Sequence, residues 1–374
     1  MPAYLIHLNN TSEHGYPAWD IGAVGKCHHD RELFAQQIGI NLIKGFRYRW
    51  DDEPHDVLSA RLDGLLGGLK KDDLVFVHWP FSSFQSQNWC QMLIDRIHQF
   101  GASLIFIIDD IASWRDLPAL PATLTAAELA SYRQTMPYTL EIHFLSQADG
   151  LIVHSENMAT RLQQQAQLTK TPLTPNIAIY GPSGYACEYF QPRRELGQGL
   201  DYAGAFLKAQ FLSQLPADFK INAYGDDSDQ LKLRDHANVT LYPHADPEAI
   251  AQELKGSFGL VWDSTSYPQV TGRLGEYEQY NTPAKFPMYL AADEPVVIWS
   301  KSPLAAFVEK NGLGLTIDTL DQLPGKIAAL NNQQYTEMLN NVQHISGLIR
   351  NGYYLKKAYL DVIGMIKDHA YQPQ

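Results

Sequence analysis

Short apolar runs, each too brief for a helix, recur along this chain and alternate with helix-spaced segments, which restricts its fold more than any other feature. Residues 4–8 (YLIHL), 74–79 (LVFVHW), 103–108 (SLIFII), 151–154 (LIVH) and 176–180 (NIAIY) read as strands of a first half. Between them, about 27–38, 86–100, 124–148 with a break at Pro137, and 156–165 behind the cap Ser155 have helical spacing. Residues 181–199 are rich in Gly and Pro without apolar period and read as a linker. The alternation then resumes with strands in 200–206 (LDYAGAF), 219–225 (FKINAYG), 238–243 (NVTLYP), 259–262 (GLVW) and 295–299 (PVVIW). Helices are expected at 208–216, 249–256, from about 283 to 293, near 320–330, at 334–349 and at 353–368. Such alternation implies α/β, doubly wound parallel sheets, and 374 residues are enough for two. The expected division is a domain of residues 1–180, a linker of 181–199, a domain of 200–351 and a final helix in 352–374.

Charge narrows the partners. Lys plus Arg number 29 against 41 Asp plus Glu, a net charge of -12, which argues against a general attraction to nucleic acid or an anionic membrane. No apolar run approaches the roughly 18 to 20 residues needed to span a bilayer, and MPAYLIHLNN lacks a signal-peptide pattern. A soluble, cytoplasmic protein is expected. Cys27, Cys90 and Cys187 are far apart and odd in number, which suits free thiols in a reducing compartment. Cys27-His28-His29-Asp30 does not read as a metal site, because neighbouring side chains diverge and no second ligand cluster has zinc spacing. Nor is GAVGK a P-loop, and no Gly-x-Ser-x-Gly elbow supports a hydrolase.

In open α/β sheets ligands collect beyond the carboxyl ends of the strands, so residues just after each strand are the informative ones. The 259–315 stretch reads as strand, polar loop, helix and strand, with Asn281-Thr282-Pro283 opening the helix and Lys285 in its first turn. A cation there gains nothing from the helix dipole and makes more sense beside an anion such as phosphate. DYAGAFLKAQF repeats the arrangement, with Gly204 after a strand and Lys208 at an expected helix start. Two convergent cations can offset a diphosphate without a metal. Tyr224 ends a strand with a ring able to stack on a base. In the first half, SLIFIIDD ends in Asp109 and Asp110, adjacent carboxylates of which one should face a cleft and accept a proton. His78 is a second strand-end candidate. Gly22, Gly25 and Lys26 fall in an expected loop where glycine permits close backbone approach.

The run YNTPAKFPMYLAADEPVVIWSKSPLAAFVEKNGLGL, with RLDGLLGGLKKDDLVFVHWP, YAGAF and INAYG, resembles a group of bacterial GT-B glycosyltransferases. The group includes glucosyltransferases of serine-rich-repeat adhesins and enzymes described as galactofuranosyltransferases. The resemblance implies two Rossmann-like domains facing across a cleft, with the C-terminal helix crossing back to the first. It implies that Lys285 and Lys208 contact the donor diphosphate, that Tyr224 lies beside the nucleotide, and that Tyr242 and His244 belong to a base-side loop. Asn281 and Gly25 join that donor-side set, and Asp110 matches an aspartate of the group. The glutamate pair of the commonest retaining GT-B type would fall on Tyr280 and Met288 and is absent, and Asp293 replaces a usual glycine. This favours inverting, metal-independent transfer of a hexosyl group, glucosyl before galactofuranosyl, from a UDP-sugar to a glycan or glycosylated protein. No cofactor is implied beyond the donor, and because relatives assemble as oligomers the resemblance implies a homo-oligomer. A non-catalytic sugar-nucleotide-binding subunit and an epimerase of the same fold are the rival readings.

Overall fold

The computed structural model describes residues 2–10, 23–47, 54–80, 87–116, 136–188, 194–225, 231–243 and 245–370. Its contacts divide the chain into two compact units. The first comprises residues 1–21, 31–180 and 355–374, and the second residues 22–30 and 181–354.

In the first unit, β1 (Ala3–Asn10), β2 (Asn41–Arg47), β3 (Leu74–Trp79), β4 (Ser103–Ile108), β5 (Gly150–Val153) and β6 (Ile177–Ile179) form a sheet ordered β2-β1-β3-β4-β5-β6. Every pairing is parallel. Helices His55–Leu66, Gln87–Gln99 and Glu156–Thr169 connect the strands, and Ser155 caps the last by accepting from the Met158 amide. Both faces are covered, so β3 and β5 are buried along their whole length. Part of that cover comes from the helix Tyr353–Ala370, whose Tyr359 packs edge-on against Phe76 at 5.3 Å.

The second unit contains β7 (Leu200–Ala203), β8 (Ile221–Tyr224), β9 (Val239–Tyr242), β10 (Phe258–Val261), β11 (Val296–Trp299) and β12 (Gly314–Ile317), ordered β12-β11-β10-β7-β8-β9. All pairings are again parallel. Alternate residues feed two cores: Tyr202, Ala223, Leu260 and Val297 pack on one face, and Ala203, Tyr224, Val261 and Ile298 on the other. The strand order reverses between β7 and β10, the topological switch point of such a sheet.

That switch point has its own local cause. Pairing of β7 with β10 stops at Gly259 and Asp201. Beyond it the Tyr289 hydroxyl takes over the ladder, accepting from the Ala203 amide at 2.9 Å and donating to the Asp201 carbonyl at 3.0 Å. Gly259 makes room for this ring, since a Cβ there would lie 2.1 Å from Tyr289 Cγ. A side chain rather than β10 thus bonds the end of β7 on this side.

The α/β class with two Rossmann-like sheets is the one expected. The described segments differ in detail. β2, interrupted in sequence by Lys44 and Gly45, and the four-residue β12 were not expected as strands. Residues 208–216 form no α-helix: two 3-10 turns, Phe206–Lys208 and Gln210–Gln214, stand there. The helix at Lys285 runs only to Ala291, and Thr282 does not cap it but donates to the Gly181 carbonyl at 2.7 Å. Helix Ala23–Gln36 begins earlier than expected, so Gly25 and Lys26 lie inside it rather than in a loop. Residues 181–188 are packed rather than loose, with Tyr185 only 4% exposed and its amide donating to Ile349.

Candidate functional site

In the second unit the residues after β7 and β10 converge. The Ser264 amide donates to the Lys208 carbonyl at 2.9 Å and the Phe211 amide to the Ser264 carbonyl at 3.4 Å, so the turn carrying Lys208 is sewn to the loop after β10. Ser264 Oγ fixes that loop, donating at 2.8 Å toward the carbonyls of Ser266 and Gln269 and accepting from the Thr271 amide at 3.0 Å. Asp263, one residue earlier, is buried and receives the Lys285 ammonium at 2.6 Å and the Tyr202 hydroxyl at 3.1 Å. Lys285 Nζ also lies 4.8 Å from the centre of the Tyr202 ring, a cation–π position. Gly204 lines the same spot: a Cβ there would sit 3.0 Å from Lys285 Cε, at a φ of +152°. Only a residue without a side chain leaves the lysine its place.

A second carboxyl completes the cluster. Glu278 is 3% exposed and follows the helix Gly272–Tyr277, which presses against Asp263 so closely that a Cβ on Gly275 would lie 2.5 Å from the Asp263 carbonyl. Burial pushes the Glu278 carboxyl well above its usual range, the Asp263 charge adds to this, and the charges of Lys285 and Lys208 oppose it. Lys208, half-buried, and Lys285 thus act on one buried group.

The other expected donor-side residues are placed as follows. Tyr224 is 3% exposed, donates its hydroxyl to the Glu253 carbonyl at 3.1 Å and stacks on Tyr242 at 4.7 Å with 13° between the planes. One face of the expected stacking platform is therefore covered, and the ammonium of Lys255 lies 4.5 Å from the Tyr242 ring centre. Asn281 is half-buried, and its Oδ1 has no hydrogen-bond partner among the described residues. Gly25 is buried inside the helix Ala23–Gln36. Lys26, beside it, is fully engaged by Asp30 at 2.5 Å, the Ala186 carbonyl at 2.6 Å and Glu248 at 3.0 Å. His29, Asp30 and Glu248 come within metal-ligand spacing of one another, but this ammonium already supplies the positive charge between the two carboxylates. His244 lies outside the described residues.

In the first unit, the carboxyl edge holds a linked set of rings and charges. Asp109 and Asp110 both follow β4 yet leave in different directions. Asp109 pairs with Arg31 and, at 3.2 Å, with His78 Nδ1, while Asp110 pairs with Arg115 of the helix Ala112–Asp116. His154, after β5, approaches the Asp109 carbonyl with Nε2 at 2.9 Å and packs on Tyr180 at 4.7 Å. Burial holds the His154 imidazole well below its ordinary range, with Arg31 adding to the effect, so it donates as a neutral ring. Arg31 lies over the Tyr180 ring at 5.4 Å. His78 and Asp109 thus form an imidazole–carboxylate pair, with Arg31 on the same carboxylate. Asp263, Glu278 and Tyr202 were not expected as site residues. The one signal for Asp263 is its position immediately after the GLVW strand.

Comparison with known proteins places these residues in a family. The model of the "Glucosyltransferase 3-like, N-terminal domain" matches residues 7–174 and that of the "Glucosyltransferase 3-like, C-terminal domain" matches residues 200–362. Glucosyltransferase 3 of Streptococcus gordonii is 25% identical over 359 residues, 96% of this chain and 98% of that protein. Beta-1,6-galactofuranosyltransferase WbbI of Escherichia coli (strain K12) is 32% identical over 110 residues, 29% of this chain and 33% of that protein. A solved alpha-glucosyltransferase in complex with UDP-glucose and DNA containing an abasic site covers 99% of both chains at 9% identity and a TM-score of 0.45. Matched through both halves, the chain belongs to the glucosyltransferase 3-like family of glycosyltransferases.

Proposed function

We propose that this protein transfers a hexosyl group from a UDP-sugar, UDP-glucose first, to a hydroxyl of a glycan or of a glycosylated serine-rich protein, with inversion and without a metal. One observation carries the reading: Lys208 and Lys285, from separate segments, bear on a single buried cluster at the switch point between β7 and β10. A diphosphate seated there would meet two ammonium groups, which stabilise the charge that builds on the leaving group. The acceptor oxygen attacks the anomeric carbon, the bond from that carbon to the phosphate oxygen breaks, and UDP leaves with the bonding pair. The hydroxyl proton passes to a base of the first unit. Each of the two adjacent aspartates has an arginine partner, Arg31 for Asp109 and Arg115 for Asp110, and Asp109 is the better member of that base because it also pairs with the His78 imidazole.

Incubation with a panel of UDP-sugars and glycan acceptors, read by UDP release, tests the reading. Release that requires both donor and acceptor supports transfer. Tight UDP binding with no release for any pair favours a non-catalytic sugar-nucleotide-binding subunit, and interconversion of free UDP-sugars without acceptor favours an epimerase. A galactofuranosyl donor is the second choice for the panel, because the galactofuranosyltransferase segment is 32% identical to this chain.

A further inference from the structure

A buried acid that the transfer chemistry does not use lies beside the carboxyl ends of β3 and β4. Glu141, on the helix Met136–Leu145, is 0% exposed. Its Oε1 accepts from the Trp79 indole and the Ala112 amide, each at 3.1 Å, and its Oε2 accepts from the Ser113 amide at 3.0 Å and the Ser113 hydroxyl at 2.5 Å. Three of these four bonds come from N–H groups, which can only donate. Their owners lie in two segments. Trp79 ends β3 directly after His78, and Ala112 and Ser113 open the short helix that follows Asp109, Asp110 and Ile111. The Asp109 amide in turn donates to the Trp79 carbonyl at 2.7 Å. The end of β3 and the loop after β4 are therefore joined twice, once by backbone at Asp109 and once through Glu141, and His78 meets Asp109 across that junction at 3.2 Å.

We propose that Glu141 is a positioning residue for the proton-accepting pair, holding residues 109–113 against the end of β3 so that Asp109 meets His78. This rests on the reading of Asp109 as part of the base of the transfer. Glu141 acts through Asp109 and needs no contact with substrate. Two acceptor oxygens are required to serve all three N–H donors, because a glutamine in either orientation turns its NH2 toward at least one of them. A buried N–H left without an acceptor is costly, so the loop shifts to relieve it. Displacing a catalytic group by about 1 Å can cost about 100-fold in rate, which makes the rate a more sensitive reporter than the fold.

The test is kcat by UDP release, with UDP affinity by calorimetry, for the wild type, Glu141→Gln, Asp109→Asn and the double variant. Glu141→Gln should lower kcat by about tenfold or more and leave UDP affinity within about twofold, because the donor lysines belong to the other unit. In the Asp109→Asn background the same change should cost less than about twofold, since the aspartate it positions is already disabled. Ser113→Ala removes one donor of the four and keeps the test open should Glu141→Gln not fold. It should lower kcat by about threefold, and only where Asp109 is present. The proposal is overturned if the folded Glu141→Gln protein, or Ser113→Ala in its place, keeps wild-type kcat, if its loss multiplies undiminished with that of Asp109→Asn, or if UDP affinity falls as far as kcat does. Failure of the underlying reading looks different: an Asp109→Asn protein with wild-type kcat removes the base assignment, and the proposal with it, whatever Glu141→Gln does.

Discussion

The Lys285 ammonium lies 2.6 Å from Asp263 Oδ1, so the cation assigned to the donor phosphates already has an internal anion. That anion is also tied to the Tyr202 hydroxyl at 3.1 Å, which fixes its position on the sheet edge. A ligand phosphate must compete with Asp263 for Lys285. Asp263→Asn keeps an acceptor for Tyr202 and removes the competing charge. UDP should bind this variant about three- to tenfold more tightly, with a steeper salt dependence. Unchanged or weaker binding in a titration would mean that Asp263 serves the site only by positioning the lysine.

Gly204 reports on the same spot by sterics. An alanine there would bring its Cβ to 3.0 Å from Lys285 Cε at a φ of +152°. Gly204→Ala should cost about 1 kcal/mol or more of stability and weaken UDP binding along with it. A variant that binds UDP like the wild type would place the phosphates away from Lys285.

Asp109 and His78, paired at 3.2 Å, are assigned to proton removal and not to donor binding. Asp109→Asn and His78→Gln should each lower kcat by about 100-fold or more while leaving UDP affinity within about twofold. Asp110→Asn, which breaks the pair with Arg115, should cost far less. The reverse order of effects in a UDP-release assay would move the base to Asp110.

Stability should carry a separate pH signature from Glu294. This side chain is 0% exposed, and burial, with the Asp201 carboxyl beside it adding to the effect, raises its carboxyl well above the ordinary 4.5 despite Arg194 at 3.4 Å. The folded chain keeps this proton while the unfolded chain releases it above about pH 4.5. Folding stability therefore falls as pH rises from the unfolded value toward the raised folded one. Glu294→Gln should flatten that slope in denaturant titrations between about pH 5 and about pH 8. An unaltered slope would assign the pH dependence to another buried acid.

The parts of this architecture that were legible in sequence are those set by local patterning. Strand runs such as LVFVHW and PVVIW, the cap Ser155 and the breaker Pro295 mark their elements without reference to distant residues. Lys285 was legible for the same reason. The partners that give it meaning were not. Asp263 meets it through a loop folded by Ser264, and Glu278 is brought in by a helix that packs on the Asp263 backbone. Tyr224 illustrates the limit from the other side: its strand end was readable, but the register that sets it against Tyr242 comes from sheet pairing. Asp293, where the resemblance leads one to expect glycine, has a φ of +52°, in the left-handed region that favours glycine, and is held by Arg350 at 3.1 Å. The sequence marked the departure there but not the arginine that makes it tolerable.

The most direct measurement is UDP binding to wild type, Lys208→Ala, Lys285→Ala and the double variant, read by calorimetry and by the thermal shift that UDP produces. Each single change should weaken binding by about tenfold or more, and the double change should abolish the shift while the unliganded proteins still unfold cooperatively. Wild-type affinity in the folded Lys285→Ala protein would contradict the account.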